Sequence, residues 1–141
     1  MPTAFEIDVP RRLVVCRCWG VLTSDELVSH YRALRSDPAF DPTFSQLADL
    51  REVTVFDVDT RVLGSRTLVA TFAPTARRAL VAPNDVGYAL SYVYGRYTQS
   101  PEKNLQVFRA MREAEQWLGL RARGNGLGRA KDSAASPDSN P

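Results

Sequence analysis

The stretch Arg78-Ala79-Leu80-Val81-Ala82-Pro83-Asn84-Asp85 decides the fold. The apolar run Ala79 to Ala82 suits a short strand covered on both faces, as at the centre of a parallel sheet. Pro83 stops that strand, and Asn84-Asp85 supply the side-chain acceptors that open a helix. A buried strand leading straight into a capped helix is the building unit of an α/β fold. The helix runs to about Tyr97. A loop at Ser100-Pro101, a strand over Leu105–Phe108 and a helix over Ala110–Leu118 follow, with Gly119 as the helix stop.

Upstream, Phe5, Ile7 and Val9 alternate with Glu6 and Asp8, the period-2 pattern of a half-buried strand. Pro10-Arg11-Arg12 turns the chain, and Leu13–Trp19 forms the second arm of a hairpin that Gly20 ends. Thr23-Ser24-Asp25-Glu26 is a capping box, in which Thr23 and Glu26 each satisfy an amide of the other's segment. The helix it opens carries Leu27, Tyr31 and Leu34 on one face and stops near Asp37-Pro38, because proline disfavours helical geometry in the residue before it. Gln46–Leu50 is a short strand. A second helix is predicted from Asp57 or Asp59 through Val58, Val62, Ser65, Val69 and Phe72, closed by Pro74. Hairpin first and alternation afterwards give a single-domain mixed sheet, parallel in its later strands, with four helices.

Residues 1–120 carry 14 basic and 14 acidic side chains, so the net charge of +2 belongs to the end of the chain, where Arg121, Arg123, Arg129 and Lys131 face Asp132 and Asp138. A nucleic-acid binder usually shows a basic stripe on its folded part, and none is evident here. From Arg121 onward Gly, Ala, Ser, Pro and Asn dominate without periodicity. The expected organisation is therefore a domain over 1–120 and a disordered basic tail over 121–141. Gly124-Asn125-Gly126-Leu127-Gly128 lacks the flanking strand and helix of a phosphate-binding loop. No apolar run reaches the length of a membrane span and no secretory leader is evident, so a cytoplasmic protein is expected.

The order of elements and several local motifs resemble the SpoIIAA-like family, relatives of the STAS domain. The matching parts are the hairpin followed by Gly20-Val21-Leu22-Thr23, the strand end Ala48-Asp49-Leu50, and Arg78 to Asp85 leading into a helix. The segments Val107-Phe108-Arg109 and Ala114-Glu115-Gln116-Trp117-Leu118 match as well, so the resemblance covers about residues 3–120. It implies an α/β domain of the STAS type. In anti-sigma-factor antagonists of that type, a phosphorylatable Ser opens the second helix within Asp-Ser-Ser-Gly. The comparable stretch here is Asp57-Val58-Asp59-Thr60, in which valine has replaced the acceptor and Thr60 is the nearest hydroxyl. The related lipid-carrier fold implies small apolar ligands as a further class.

No convergent catalytic set stands out, and no metal or cofactor is expected. Cys16 and Cys18, spaced i, i+2 on a strand, share a face but are poorly placed to bond to each other, and a metal would need two further ligands. They read as buried packing cysteines. His30, the sole histidine, lies at the edge of its helix's apolar face and reads as a partly buried structural residue. Asp57 and Asp59 read as helix-start carboxylates. Arg77-Arg78 reads as charge flanking an apolar strand, with an anionic ligand or partner as the alternative.

The helix after Asp85 is the most informative element. Val86, Ala89, Leu90, Val93 and Tyr97 form its expected core stripe. Gly87, Ser91 and Gly95 recur on a second line, flanked by Tyr88 and Tyr92. Glycine in a helix costs about 1 kcal/mol relative to alanine, so some surface should approach this line closely. Gly87, Tyr88, Ser91, Tyr92 and Gly95 are the candidate interface, with a neighbouring helix, a subunit or partner, and a ligand groove as the alternatives. The expected function is a non-catalytic binding or regulatory module working through protein contacts as a homodimer. The alternative is a carrier of a small apolar or anionic, lipid-like ligand.

Overall fold

The computed structural model describes residues 2–98 and 103–120; the expected Ser100-Pro101 loop and the expected tail over 121–141 lie outside the described residues. In chain order the elements are β1 (Thr3–Asp8), β2 (Leu13–Thr23), α1 (Ser24–Ser36), β3 (Ser45–Asp57), α2 (Thr60–Leu63), α3 (Arg66–Val69), β4 (Arg78–Val81), α4 (Asp85–Tyr97), β5 (Leu105–Phe108) and α5 (Met111–Leu118). The strands lie side by side in the order β1-β2-β3-β4-β5. The β1–β2 hairpin is antiparallel, and every later pair is parallel. This is the mixed α/β sheet expected from the sequence.

The capping chemistry fixes the helix starts. Thr23 accepts from the Glu26 amide while the Glu26 carboxylate accepts from Thr23, so the capping box of α1 is complete. Asn84 accepts from the Gly87 amide at 2.7 Å and opens α4. Gly119 adopts φ 75° beyond α5, the left-handed conformation that ends a helix at lowest cost to glycine.

Five helices replace the expected four. The predicted second helix breaks at Gly64-Ser65 into α2 and α3, because Ser65 turns extended at ψ 153° and neither residue favours a helix interior. Asp59 caps α2 through the Arg61 amide, whereas Asp57 is the last residue of β3 and caps nothing.

Apolar side chains gather on both faces of the sheet. Val14, Cys16, Ala48 and Leu80 meet Tyr31 and Leu34 of α1, Leu63 and Leu68 of the short helices, and Tyr94 of α4. Leu13, Leu47, Ala79 and Val81 point to the other face, where α5 covers them through Ala114, Trp117 and Leu118. All of β4 is buried, as the apolar run predicts for a strand covered twice. β2 and β3 outrun β4, whose pairing with β3 spans only Gln46–Asp49. Their paired continuation to Thr23 and Asp57 carries Cys18, Leu22 and Val53 in a third cluster.

Of the stripe expected to face the core from α4, Leu90 and Val93 are half-buried against it, while Val86, Ala89 and Tyr97 are exposed. The fully buried residues of the helix are Gly87, Ser91 and Tyr94, while Val86 is 59% and Tyr97 46% exposed. The helix is turned so that its small residues meet the sheet. A Cβ on Gly87 would stand 2.7 Å from the Phe56 ring, and one on Gly95 would stand 2.9 Å from Leu105. The close neighbour expected along the glycine line belongs, at these two positions, to the same chain.

Candidate functional site

Burial carries Arg78 far from the flanking role expected of it. It is the first residue of β4, lies directly beside Gln46 of β3, and is 1% exposed. Its guanidinium extends beneath α1 and α4. Nε donates to Gln46 Oε1 at 2.8 Å, and Nη2 donates to the Tyr94 hydroxyl at 2.6 Å and, more weakly, to the Tyr31 hydroxyl at 3.4 Å. The Tyr94 hydroxyl in turn donates a hydrogen bond to the Leu68 carbonyl at 2.8 Å. The cation also stacks on aromatic faces, 4.4 Å from the Phe72 centroid and 5.1 Å from that of Tyr94. Among the described residues no carboxylate pairs with it. A guanidinium stays charged in any protein, and burying a charge among neutral partners is costly. The strand-to-helix unit that decides the fold thus also places an unbalanced cation in the core.

The same tyrosines and glutamine form one wall of a cavity of about 60 Å³ between the helical layer and the sheet. Cys16, Cys18, Ala48 and Leu80 floor it from the strands, and Leu27, His30, Leu63, Leu68, Leu90 and Ser91 roof it from the helices. Leu50, Phe56 and Val58 close the end where β2 and β3 outrun β4.

The polar groups in this lining are few and shifted. Burial lowers the His30 pKa to about 4, so its imidazole is neutral near pH 7. The residue is 5% exposed rather than at a boundary; it meets Phe5 and Tyr31 edge-on and forms no side-chain hydrogen bond among the described residues. Burial likewise drives Tyr31 well above its ordinary pKa, with Tyr94 adding to the rise and Arg78 opposing it. Cys16 is pushed up to about 11 by burial against the pull of Gln46 and Arg78, and Cys18 to about 12 by burial with Cys16 and Asp49 adding. Both cysteines are free and buried. Thiols so protonated are poor nucleophiles and poor metal ligands.

The candidate interface on α4 divides. Gly87 and Ser91 are inside, Ser91 on the cavity wall. Tyr88, Tyr92 and Gly95 instead line an outer groove of about 460 Å³ with Arg96 and the β5 residues Leu105, Gln106 and Val107. Tyr92 is 54% exposed, and Arg109 stacks on Tyr88 at 4.4 Å while pairing with Asp85 at 2.9 Å. Phe72 is buried under Arg78 and takes no part in this groove. Of the stretch compared with a phosphoacceptor motif, Val58 is half-buried against the core and Thr60 is exposed at the start of α2.

The sequence offers an anionic ligand or partner as the alternative role of Arg78, but not its burial in the core. The signal was faint: Gln46 and Arg78 at the inner ends of two adjacent strands, and a tyrosine on each of two helices.

No family model and no curated protein matches the chain. Among solved structures it is similar to an uncharacterised protein of the DUF3478 family, with a SpoIIAA-like fold, from Shewanella loihica PV-4. The two share 18% identity and a TM-score of 0.55 over 82% of this chain and 93% of that one. The fold of this chain is accordingly SpoIIAA-like, as its motifs suggested.

Proposed function

We propose that the chain is a non-catalytic binding module of the cytoplasm that carries a small, mainly apolar molecule between its helices and its sheet. One observation carries this reading: the cavity between the two layers, apolar over most of its wall, into which a few polar groups converge. Its capacity corresponds to roughly five water-sized groups, which fits a short ligand. The absence of catalysis is supported by the chemistry of the lining. A histidine with a pKa near 4 is a weak base at neutral pH, and thiols held protonated are weak nucleophiles. Two free cysteines suit a reducing compartment.

A second reading, a homodimer or protein-contact module, is favoured by the outer groove along α4 and β5. β5 is an edge strand, and the exposed Tyr92 offers rigid contact area beside it. Native mass spectrometry of the full chain purified from its own host separates the two readings. Retained mass of a small molecule on a single chain is the expected result. A ligand-free dimer favours protein contact, and a ligand-free monomer that takes up no small apolar probe overturns the carrier.

A further inference from the structure

The cavity wall has an electrostatic and a hydrogen-bonding deficit on the same side. Arg78 brings one positive charge, and the partners that hold it, Gln46, Tyr31, Tyr94 and the Phe72 ring, are all neutral. The Tyr31 hydroxyl accepts from Arg78 Nη2 and Gln46 Nε2, both at 3.4 Å, and its own proton meets no acceptor among the described residues. Beside it, the His30 ring lies 5.5 Å from the Tyr31 ring, centre to centre, likewise without a hydrogen-bond partner among the described residues. Both residues line the cavity and both are more than nine-tenths buried. A neutral imidazole holds one N–H donor, so two unused donors border an apolar space with a cation behind them.

We propose that a small monocarboxylic acid fills this arrangement: its carboxylate accepts from the Tyr31 hydroxyl beside the Arg78 charge, and its apolar part occupies the cavity. The inference rests on the carrier reading and adds the chemical class of the ligand. A single uncompensated charge calls for a monoanion, because a phosphate dianion would leave a net negative charge in the core. An acceptor-only group is what two spare donors require, whereas an alcohol of the same shape satisfies them less well and leaves the cation unbalanced. Arg78 acts here as a positioning residue. It reaches the ligand's charge through the tyrosine it holds, since Tyr31, Gln46 and Tyr94 form the wall and Arg78 stands behind them.

The test compares propanoate with propan-1-ol, titrated against the full ¹⁵N-labelled chain at pH 7 and followed by amide and His30 ring shifts. The acid is expected to bind at least about tenfold more tightly, the yield of one charge-assisted hydrogen bond. Tyr31→Phe should remove most of that preference by weakening the acid far more than the alcohol, a split that a merely structural role would not produce. Arg78→Met should do the same if circular dichroism shows it folded; if it does not fold, Tyr31→Phe decides alone. Equal binding of acid and alcohol overturns the acid assignment and leaves the carrier standing. Binding of neither overturns the carrier and the assignment together. A preference for the acid that survives Tyr31→Phe overturns the assignment to this wall.

Discussion

Acidification from pH 7 to pH 4 should destabilise this protein through its single histidine. In the unfolded chain His30 titrates near 6.5, and in the folded protein burial lowers its pKa to about 4. Between those values the unfolded state binds a proton that the folded state refuses. Stability therefore rises with pH across the window, and it is lost as pH falls from 6.5 towards 4. The difference of about 2.5 pK units, at about 1.36 kcal/mol each, gives a loss on the order of 3 kcal/mol. For a domain of this size that lowers the melting temperature by roughly 10 °C. Asp41 and Asp59 contribute little of that sign in the window. Asp41, held down by the Thr43 amide and hydroxyl, and Asp59, held down by Arg61, lose their contributions only below the ordinary aspartate range. Glu115 is raised, chiefly by burial, and works in the opposite direction, gaining stability as it protonates. Urea unfolding at half-unit pH steps should show the slope, and His30→Leu should flatten it. A His30 ring that titrates near 6.5 in the folded protein, or a slope unchanged in His30→Leu, refutes the argument.

The glycines of α4 give a second prediction: Gly87→Ala forces a methyl against the Phe56 ring and should cost about 1 kcal/mol net, overpacking of about 1–3 kcal/mol less the gain in helix propensity. Phe56→Leu should recover part of it in urea unfolding, and an unchanged stability would show that the ring moves aside freely. A third concerns the thiols: with Cys16 and Cys18 buried and shifted to about 11 and 12, a disulfide reagent at pH 8 should label them only at the rate of unfolding. Labelling within seconds in native buffer would place them at an accessible surface.

Much of the fold is written in local chemistry. The alternation at Phe5 and Ile7, the Thr23–Glu26 capping box, the Asn84 cap and the Gly119 stop each act over a few residues, and each is found where its pattern falls. The errors arise where distant elements meet. On α4 the hydropathy pattern favours Val86, Ala89, Leu90, Val93 and Tyr97, yet only Leu90 and Val93 of these lean on the core, and the residues fully buried are Gly87, Ser91 and Tyr94. The reason lies some 30 residues away in sequence: Phe56, at the far end of β3, occupies the space a side chain on residue 87 would need. Glycine there is a requirement of backbone approach, which a hydropathy pattern counts as indifferent.

The site was less legible than the fold for the same reason carried further. A charged residue at the mouth of an apolar strand ordinarily faces water, because an unpaired buried charge costs more than its neighbours return. Arg78 breaks that expectation through partners from four separate elements. Gln46 is its neighbour on β3, Tyr31 comes from α1, Tyr94 from α4, and Phe72 from the segment after α3. No one of them marks a buried cation alone, since glutamine at a strand end and tyrosine on a helix both have common surface roles. Their convergence exists only once the helices are laid on the sheet. It also leaves the charge without a carboxylate among the described residues, so the arrangement is incompletely explained as a stabilising device. Had the residue served packing alone, methionine or leucine would fill the same volume without the desolvation cost. A double substitution, Arg78→Met with Gln46→Leu, separates the two accounts. If Arg78 is there for a ligand's charge, the apolar pair should match or exceed the native stability in urea while losing the preference for the carboxylic acid. If the network is a structural strut, the pair should lose about 1–3 kcal/mol, the cost of leaving a buried polar group without its partner.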